Sequence, residues 1–242
     1  MDAQAAPSRQ ENVSGFLLTV RGEWFFLTAA HTFADIDKAR RQGRTISKWC
    51  LDDTAGTNTS LPFPFNFDGA KKLIFNNEEE GMDFSLIHIG QAYREYMGNI
   101  GKRPLGEVTW RAVEEEGPMA YWMLGTPDEF LLRNPDGKIT EKVDVILKVK
   151  PSLRTPEGHA RNEKFFYGEI EGKMGSEEVP LQDIKGMSGC PIFALYPPHQ
   201  GVAQYRVHAL QSGWFRKQQL IKACPIQSFA EEIDHQMAAG GL

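Results

Sequence analysis

Short apolar runs separated by turn-forming residues are the feature that most restricts the fold of this 242-residue chain. The intervening loops, such as residues 52–69 and 132–137, are dense in Gly, Pro, Asn and Asp. Many short strands separated by loops of this composition are typical of β-barrels and sandwiches rather than β/α folds. The runs that predict strands are residues 15–20, 24–30, 46–51, 71–75, 84–89, 119–124, 143–149, 165–170, 191–195 and 207–211.

The first two runs predict a hairpin with a tight turn at residues 21–23. Residues 33–41 are expected to form a short helical or irregular turn. The tail predicts one clear helix, which begins after Pro225 and ends before Gly240 and Gly241. Its apolar residues recur at three- and four-residue spacing: Ile226, Phe229, Ala230, Ile233 and Met237.

The chain divides by composition into a lead and two halves. Residues 1–12 are polar and are expected to be a flexible lead. The first half is expected over residues 13–110 and the second over residues 111–242. The Gly- and Pro-bearing stretch 94–111 is expected to link them.

Composition excludes several classes of protein. A net charge of −5 with no basic stripe argues against a nucleic-acid partner. The absence of an 18-residue apolar run argues against a membrane span, and the polar start predicts no secretory signal. Three scattered cysteines suit neither a disulfide framework nor a zinc site. We therefore expect no metal, no cofactor and a reducing, cytoplasmic location.

A serine between glycines stands at residues 186–189, at the end of a polar loop that runs into an apolar strand. Gly186 allows the backbone to turn so that amide N–H groups converge beside the hydroxyl of Ser188. This is how a chain places a nucleophile next to an oxyanion hole. A turn serine in a glycine-rich hairpin is the ordinary structural alternative.

A histidine and an aspartate precede this serine, each at the end of an apolar run. His31 follows the run 24–30 directly, and Asp83 begins the run 84–89. An aspartate at the start of a buried strand can accept the Nδ1 proton of a histidine and fix its tautomer. Taken singly, each residue has an ordinary structural interpretation: His31 as a histidine in a half-buried loop, and Asp83 as an aspartate that caps a turn. Taken together with Ser188, the three residues follow a known order of catalytic triads, His, then Asp, then Ser.

Three motifs resemble those of the chymotrypsin/trypsin-like serine peptidases, over roughly residues 16–213. Residues 28–31, Thr-Ala-Ala-His, resemble the family's T/S-A-A-H, and residues 83–87 resemble its D-[IF]-A/S-L-[IL] strand. Residues 186–191, Gly-Met-Ser-Gly-Cys-Pro, resemble its G-D-S-G-G-P. Without a signal or disulfides, the chain looks like an intracellular, bacterial-type member.

The resemblance implies an all-β fold of two packed antiparallel six-stranded barrels with a C-terminal helix. His31 and Asp83 would lie on the first barrel and Ser188 on the second. Ser188 would be the nucleophile, His31 the general base and acid, and Asp83 the group that orients His31. The amides of Gly186 and Ser188 would form the oxyanion hole.

Two residues depart from the family pattern. Met187 stands where secreted members carry an aspartate that pairs with a newly cut N-terminal amine, which excludes activation by that ion pair. Cys190 replaces a glycine and is interpreted as a packing residue. The resemblance implies that the substrate is bound by Gln182, Asp183, Ser212, Gly213 and Trp214. A small or uncharged side chain before the cleaved bond is expected, while Asp183 leaves a basic one open.

The resulting hypothesis is a serine endopeptidase that acts on a protein or peptide through an acyl-enzyme. Its substrate range is expected to be narrow or gated by a regulatory protein partner. One alternative is a catalytically silent module that binds or regulates, with the polar loop 150–164 as a partner surface. An acyl hydrolase that uses the same residues is the other.

Overall fold

The computed structural model describes residues 10–46, 48–51, 63–111, 117–171 and 182–238. Most of the regular structure in these ranges is β, which confirms the predicted fold class. The helices are α1 (His31–Arg41), α2 (Gln91–Asn99) and α3 (Ile226–Ala238). The strands are β1 (Phe16–Val20), β2 (Glu23–Thr28), β3 (Cys50–Leu51), β4 (Phe63–Pro64), β5 (Lys72–Asn77), β6 (Met82–Ile89), β7 (Ala120–Gly125), β8 (Leu131–Arg133), β9 (Ile139–Lys142), β10 (Val145–Pro151), β11 (Phe166–Glu171), β12 (Pro191–His199), β13 (Val202–Phe215) and β14 (Leu220–Pro225).

The first half contains a four-stranded antiparallel sheet in the order β1-β2-β6-β5. Its opening hairpin β1–β2 confirms the one predicted from the sequence. Arg21 and Gly22 at its turn both have positive φ, as a two-residue turn between twisted strands requires. Leu18 forms an isolated bridge to Leu105, so the segment after α2 runs along the outer side of β1.

In the described residues the six strands of this half do not close into one barrel as predicted, because they form the four-stranded sheet and a separate two-stranded ribbon. Beyond the sheet, β3 and β4 form only a two-residue ribbon, and the predicted strand 46–51 shrinks to Cys50–Leu51. Aromatic packing takes the place of ladder hydrogen bonds here. The ring centroids of Trp49 and Phe67 lie 4.0 Å apart, and those of Phe33 and Phe67 lie 5.4 Å apart. Much of the loop predicted at residues 52–69 lies outside the described residues.

The stretch predicted as a linker begins with a helix instead. Helix α2 places Tyr93 and Tyr96 against the same aromatic cluster, and the rings of Tyr96 and Phe63 stack with centroids 4.0 Å apart. Met97 on this helix is also buried. Local sequence gives little sign of the helix, because Gly90 precedes it and no side chain caps it. Tertiary packing therefore stabilises α2.

The second half is a closed six-stranded barrel in the order β10-β11-β14-β13-β12-β7, as predicted. Its interior is filled by apolar side chains that include Met123, Leu147, Ile192 and Ile221. The sequence missed β14, which closes the barrel between β11 and β13. It also missed the hairpin β8–β9, to whose far end Gln10 of the lead is hydrogen-bonded.

A second apolar cluster fills the space between the two halves. It joins Leu18 and Phe84 of the sheet, Leu210 of the barrel, and Phe229 and Ile233 of α3. Helix α3 follows the predicted apolar spacing and is confirmed. Among the described residues no helix is both long and apolar enough to cross a bilayer.

His208 on β13 should make the protein sensitive to mild acid. Its ring lies 4.8 Å from that of Tyr121 and 4.9 Å from that of Phe166, and burial lowers the pKa of His208 to about 4. The unfolded chain therefore binds a proton near pH 6.5 that the folded chain accepts only near pH 4, so stability falls as the pH drops through this window. The two pKa values differ by about 2.5 units, so at ~1.4 kcal/mol for each unit we expect a loss of about 3 kcal/mol across the window.

Urea unfolding of the wild type and of His208→Gln at pH 7 and pH 4.5 measures this contribution. The stability of the variant relative to the wild type should rise as the pH falls. His199→Gln, at an exposed ring, is the surface control. An unchanged difference between wild type and His208→Gln at the two pH values would contradict the prediction.

Candidate active site

The ends of two paired strands bring His31 and Asp83 together. Strands β2 and β6 are antiparallel, and their register ends at Thr28 opposite Ser85. Ala30, two residues after Thr28, and Asp83, two residues before Ser85, therefore lie at the same end of the sheet. His31 then begins α1 rather than extending the strand, which corrects the expected loop or strand-end position.

Asp83 holds His31 by two hydrogen bonds. Its Oδ2 lies 2.8 Å from Nδ1 of the ring, and its Oδ1 accepts from the backbone N–H of His31 at 2.9 Å. The side chain of Asp83 is 7% exposed and that of His31 is 36% exposed. Because a carboxylate only accepts, the ring donates from Nδ1, which leaves Nε2 as an acceptor.

The electrostatics of this pair suit a general base. The hydrogen bond that His31 donates to Asp83 raises the pKa of His31, against an opposing effect of burial. The charge on Asp83 raises it further, and the more distant Lys222 opposes this. A carboxylate of this kind stabilises the imidazolium that forms when the ring takes a proton.

The Ser188 turn packs on the same end of the sheet. Gly186 and Gly189 have φ of +92° and +99°, and Cys190 N–H donates to Met187 O at 2.9 Å, which closes a tight turn over Ser188 and Gly189. A Cβ on Gly189 would lie 2.3 Å from the carbonyl oxygen of Ser14 and 2.6 Å from Oγ1 of Thr28. Only glycine permits this approach, which brings the turn against the strand that ends three residues before His31.

Two backbone amides at this turn are free for an acceptor. Within the described residues, neither Gly186 N–H nor Ser188 N–H donates a hydrogen bond. The carbonyl of Gly186 is instead held by Ser14, whose Oγ donates to it at 2.6 Å. This holds the peptide that follows Gly186 in one orientation. That the two amides form an oxyanion hole stays a prediction.

Ser188 and His31 are not joined directly in this state. No hydrogen bond between Ser188 Oγ and His31 Nε2 occurs in the described part of the chain. Catalytic hydrogen bonds are often long without substrate and tighten when it binds. The joint role of the three residues therefore also stays a prediction.

The residues predicted to bind substrate lie on two segments that leave the turn. Gln182 and Asp183 precede it, and their N–H groups both donate to Oε1 of Glu129. On β13, Gly213 pairs with Lys222 of β14, and the register shifts by one residue between Gln211 and Gly213. The carboxylate of Asp183 is already engaged, because Trp214 Nε1 donates to its Oδ1 at 3.1 Å.

Neither cysteine near the site has the character of a nucleophile. Cys190 is 2% exposed, and burial raises the pKa of its thiol to about 12. Burial does the same to Cys224, which lies near Asp83. Both thiols are therefore protonated at neutral pH. In the described ranges, no three His, Cys, Asp or Glu side chains are grouped closely enough to hold a metal ion.

Sequence reasoning missed the residues that support the site. Ser14 accepts from Thr28 Oγ1 at 2.7 Å through its carbonyl, and its own hydroxyl holds Gly186. Lys222 on β14 pairs with Glu78 of the β5–β6 turn, with its Nζ 2.6 Å from Oε1, and so joins the two halves. Ser14 gave no signal in the sequence, because its partner Gly186 lies 172 residues away along the chain.

No family model and no curated protein matches this sequence. Among solved structures, the chain is similar to HBP at 15% identity, over 92% of this chain and 84% of that chain, with a TM-score of 0.45. It is also similar to a catalytically inactive tobacco etch virus protease complexed with substrate, at 13% identity, over 92% and 82% of the two chains, with a TM-score of 0.43. At these values the similarities do not bear on the chemistry of the site.

Proposed function

We propose that this protein is a serine peptidase in which Ser188 is the nucleophile, His31 the general base and Asp83 the orienting carboxylate. The observation that carries the proposal is the double hydrogen bond by which buried Asp83 holds both the backbone N–H and the ring Nδ1 of His31. A histidine that only fills space has no need of such a fixed tautomer. The Ser188 turn, seated on Thr28 beside it, supplies a hydroxyl and two free amides.

The chemistry follows from these positions. Ser188 Oγ bonds to the substrate carbonyl carbon while His31 Nε2 takes the hydroxyl proton. The carbonyl oxygen becomes an oxyanion that the N–H groups of Gly186 and Ser188 stabilise, each worth about 2.7–4 kcal/mol in related sites. The C–N bond then breaks as His31 returns the proton to the leaving amine. Water adds to the acyl-enzyme by the same route, which releases the acid and restores Ser188.

Labelling with a fluorophosphonate tests the proposal, because this reagent phosphonylates activated serines without needing a matching side chain. We expect one adduct per chain, located on Ser188 by peptide mass spectrometry, and none on Ser188→Ala. Ser228→Ala on α3 is the matched control and should label like the wild type. A folded wild type that stays unlabelled, or that is labelled elsewhere, would refute the assignment.

One observation favours a catalytically silent binding module as the second candidate. Among the described residues, Ser188 Oγ donates no hydrogen bond to His31. If the protein is a silent module, fluorophosphonate should leave the wild type unlabelled even though Gly186 and Ser188 keep the turn described above. Cleavage of a peptide amide, measured beside that of an ester, separates a peptidase from an acyl hydrolase. A regulatory partner and a cytoplasmic location stay predictions from the sequence.

A further inference from the structure

Two chain segments border the space beside Ser188. Residues 182–185 run directly into the turn. Residues 212–216 follow Gln211, whose N–H donates to Cys190 O at 2.9 Å and whose carbonyl accepts from Gly189 N at 2.8 Å. A substrate carbonyl within reach of Ser188 Oγ therefore has its adjoining side chain close to the space between these segments.

The indole of Trp214 bridges this space. Its Nε1 donates to Asp183 Oδ1 at 3.1 Å, which ties the segment on β13 to the one before the turn. The ring also packs on the apolar cluster inside the barrel, where Ile184 and Met187 are buried. The two segments that leave the Ser188 turn are thus tied together by an aromatic ring that rests on buried apolar side chains.

Both carboxylate oxygens of Asp183 already have partners within the protein. Besides the indole, Oδ1 accepts from Lys185 N–H at 3.1 Å, and Oδ2 lies 3.5 Å from Nη1 of Arg216. Arg216 also donates from Nε to Gln182 O at 3.1 Å, which adds a second tie between the segments. A cationic substrate side chain would have to displace Arg216 to reach this carboxylate.

We infer that Trp214, held by Asp183, makes this a peptidase that cleaves after small, uncharged residues. The inference rests on the proposed function. A methyl or hydrogen side chain fits in front of the ring, whereas an aromatic side chain must displace it and break its hydrogen bond. A basic side chain meets the positive charge of Arg216 and must compete with it for the carboxylate of Asp183. Asp183 is therefore a positioning residue for Trp214, not an acceptor for substrate.

The rates at which four peptidyl aryl phosphonates phosphonylate Ser188, with loss of the aryloxide, test the inference; the reagents differ only in the last residue: Ala, Phe, Arg or Glu. The wild type should react with the Ala reagent at least about tenfold faster than with the others, the range that a change in pocket size gives. Trp214→Ala should raise the rate with the Phe reagent about tenfold or more and change the Ala rate by less than about threefold.

Two further variants keep the test decisive if Trp214→Ala is unstable. Trp214→Phe retains a packed ring without the N–H donor, and Asp183→Ala removes the acceptor. Both should raise the Phe-to-Ala rate ratio, whereas Lys217→Ala, on the exposed side of the same segment, should not. A wild type that labels with the plain fluorophosphonate but prefers the Phe, Arg or Glu reagent would overturn this inference alone. No fluorophosphonate labelling of any variant would overturn the proposed function and the inference with it.

Discussion

Asp83→Asn is expected to slow the reaction of Ser188 with a fluorophosphonate by about 10⁴-fold, with little change in the fold. The two hydrogen bonds to His31 explain why an almost isosteric change costs so much. Oδ1 accepts from the backbone N–H of His31, so the amide oxygen of an asparagine must take that place. Its NH₂ group then faces Nδ1 and forces the ring proton onto Nε2. The ring can no longer accept the proton of Ser188.

The measurement is the rate of fluorophosphonate labelling across pH. In the wild type this rate should rise with pH through the raised pKa of His31, since only the neutral ring is a base. Asp35→Asn is the matched control, because this exposed carboxylate lies on α1 and only adds to the field at His31. It should lower the rate less than about threefold, the small effect expected of an exposed charge. An Asp83→Asn rate within tenfold of the wild type would contradict the assigned tautomer.

Phe229→Ala should cost about 3–5 kcal/mol of the free energy of unfolding. Phe229 is 1% exposed, and its ring lies edge-on to those of Phe84 and Trp110 at centroid distances of 5.0 and 5.3 Å. The substitution leaves a cavity between the sheet, the segment that carries Trp110 and α3, and these elements cannot move inward together to fill it. Phe84 follows Asp83 directly on β6, so we expect the cavity also to loosen the packing next to the carboxylate of Asp83.

Urea unfolding followed by tryptophan fluorescence measures this cost. Gln227→Ala lies on the same helix with an exposed side chain and should change stability by less than about 0.5 kcal/mol. A loss of under about 1 kcal/mol for Phe229→Ala would mean that α3 contributes little to the cluster between the halves.

Sequence alone could predict what depends on neighbouring residues. The hairpin β1–β2, the strands of the second barrel that carry long apolar runs, and α3 all follow local periodicity or turn chemistry. The proximity of His31 and Asp83 does not follow from neighbouring residues. It was predicted from the resemblance, and the register of β2 and β6 explains it.

What sequence could not predict depends on distant partners. Helix α2 is stabilised by aromatic rings from β4 and the segment after it, not by its own caps. Strand β14 follows a left-handed turn at Gln219, a position where glycine would have signalled a break. The contacts of Asp183 need Trp214, Arg216 and Lys185 to meet in three dimensions, so in the sequence its charge left a basic substrate side chain open beside the expected small or uncharged one.

The apolar cluster between the halves also determines when the site exists during synthesis. It requires Leu18 and Phe84 together with Phe229 and Ile233 of α3, so a ribosome-bound chain cannot close it before residue 233 has emerged. Until then the sheet that carries His31 and Asp83 has an open apolar face. A ribosome-bound chain that stalls before α3 has emerged would therefore hold His31 and Asp83 on a sheet whose apolar face is still open.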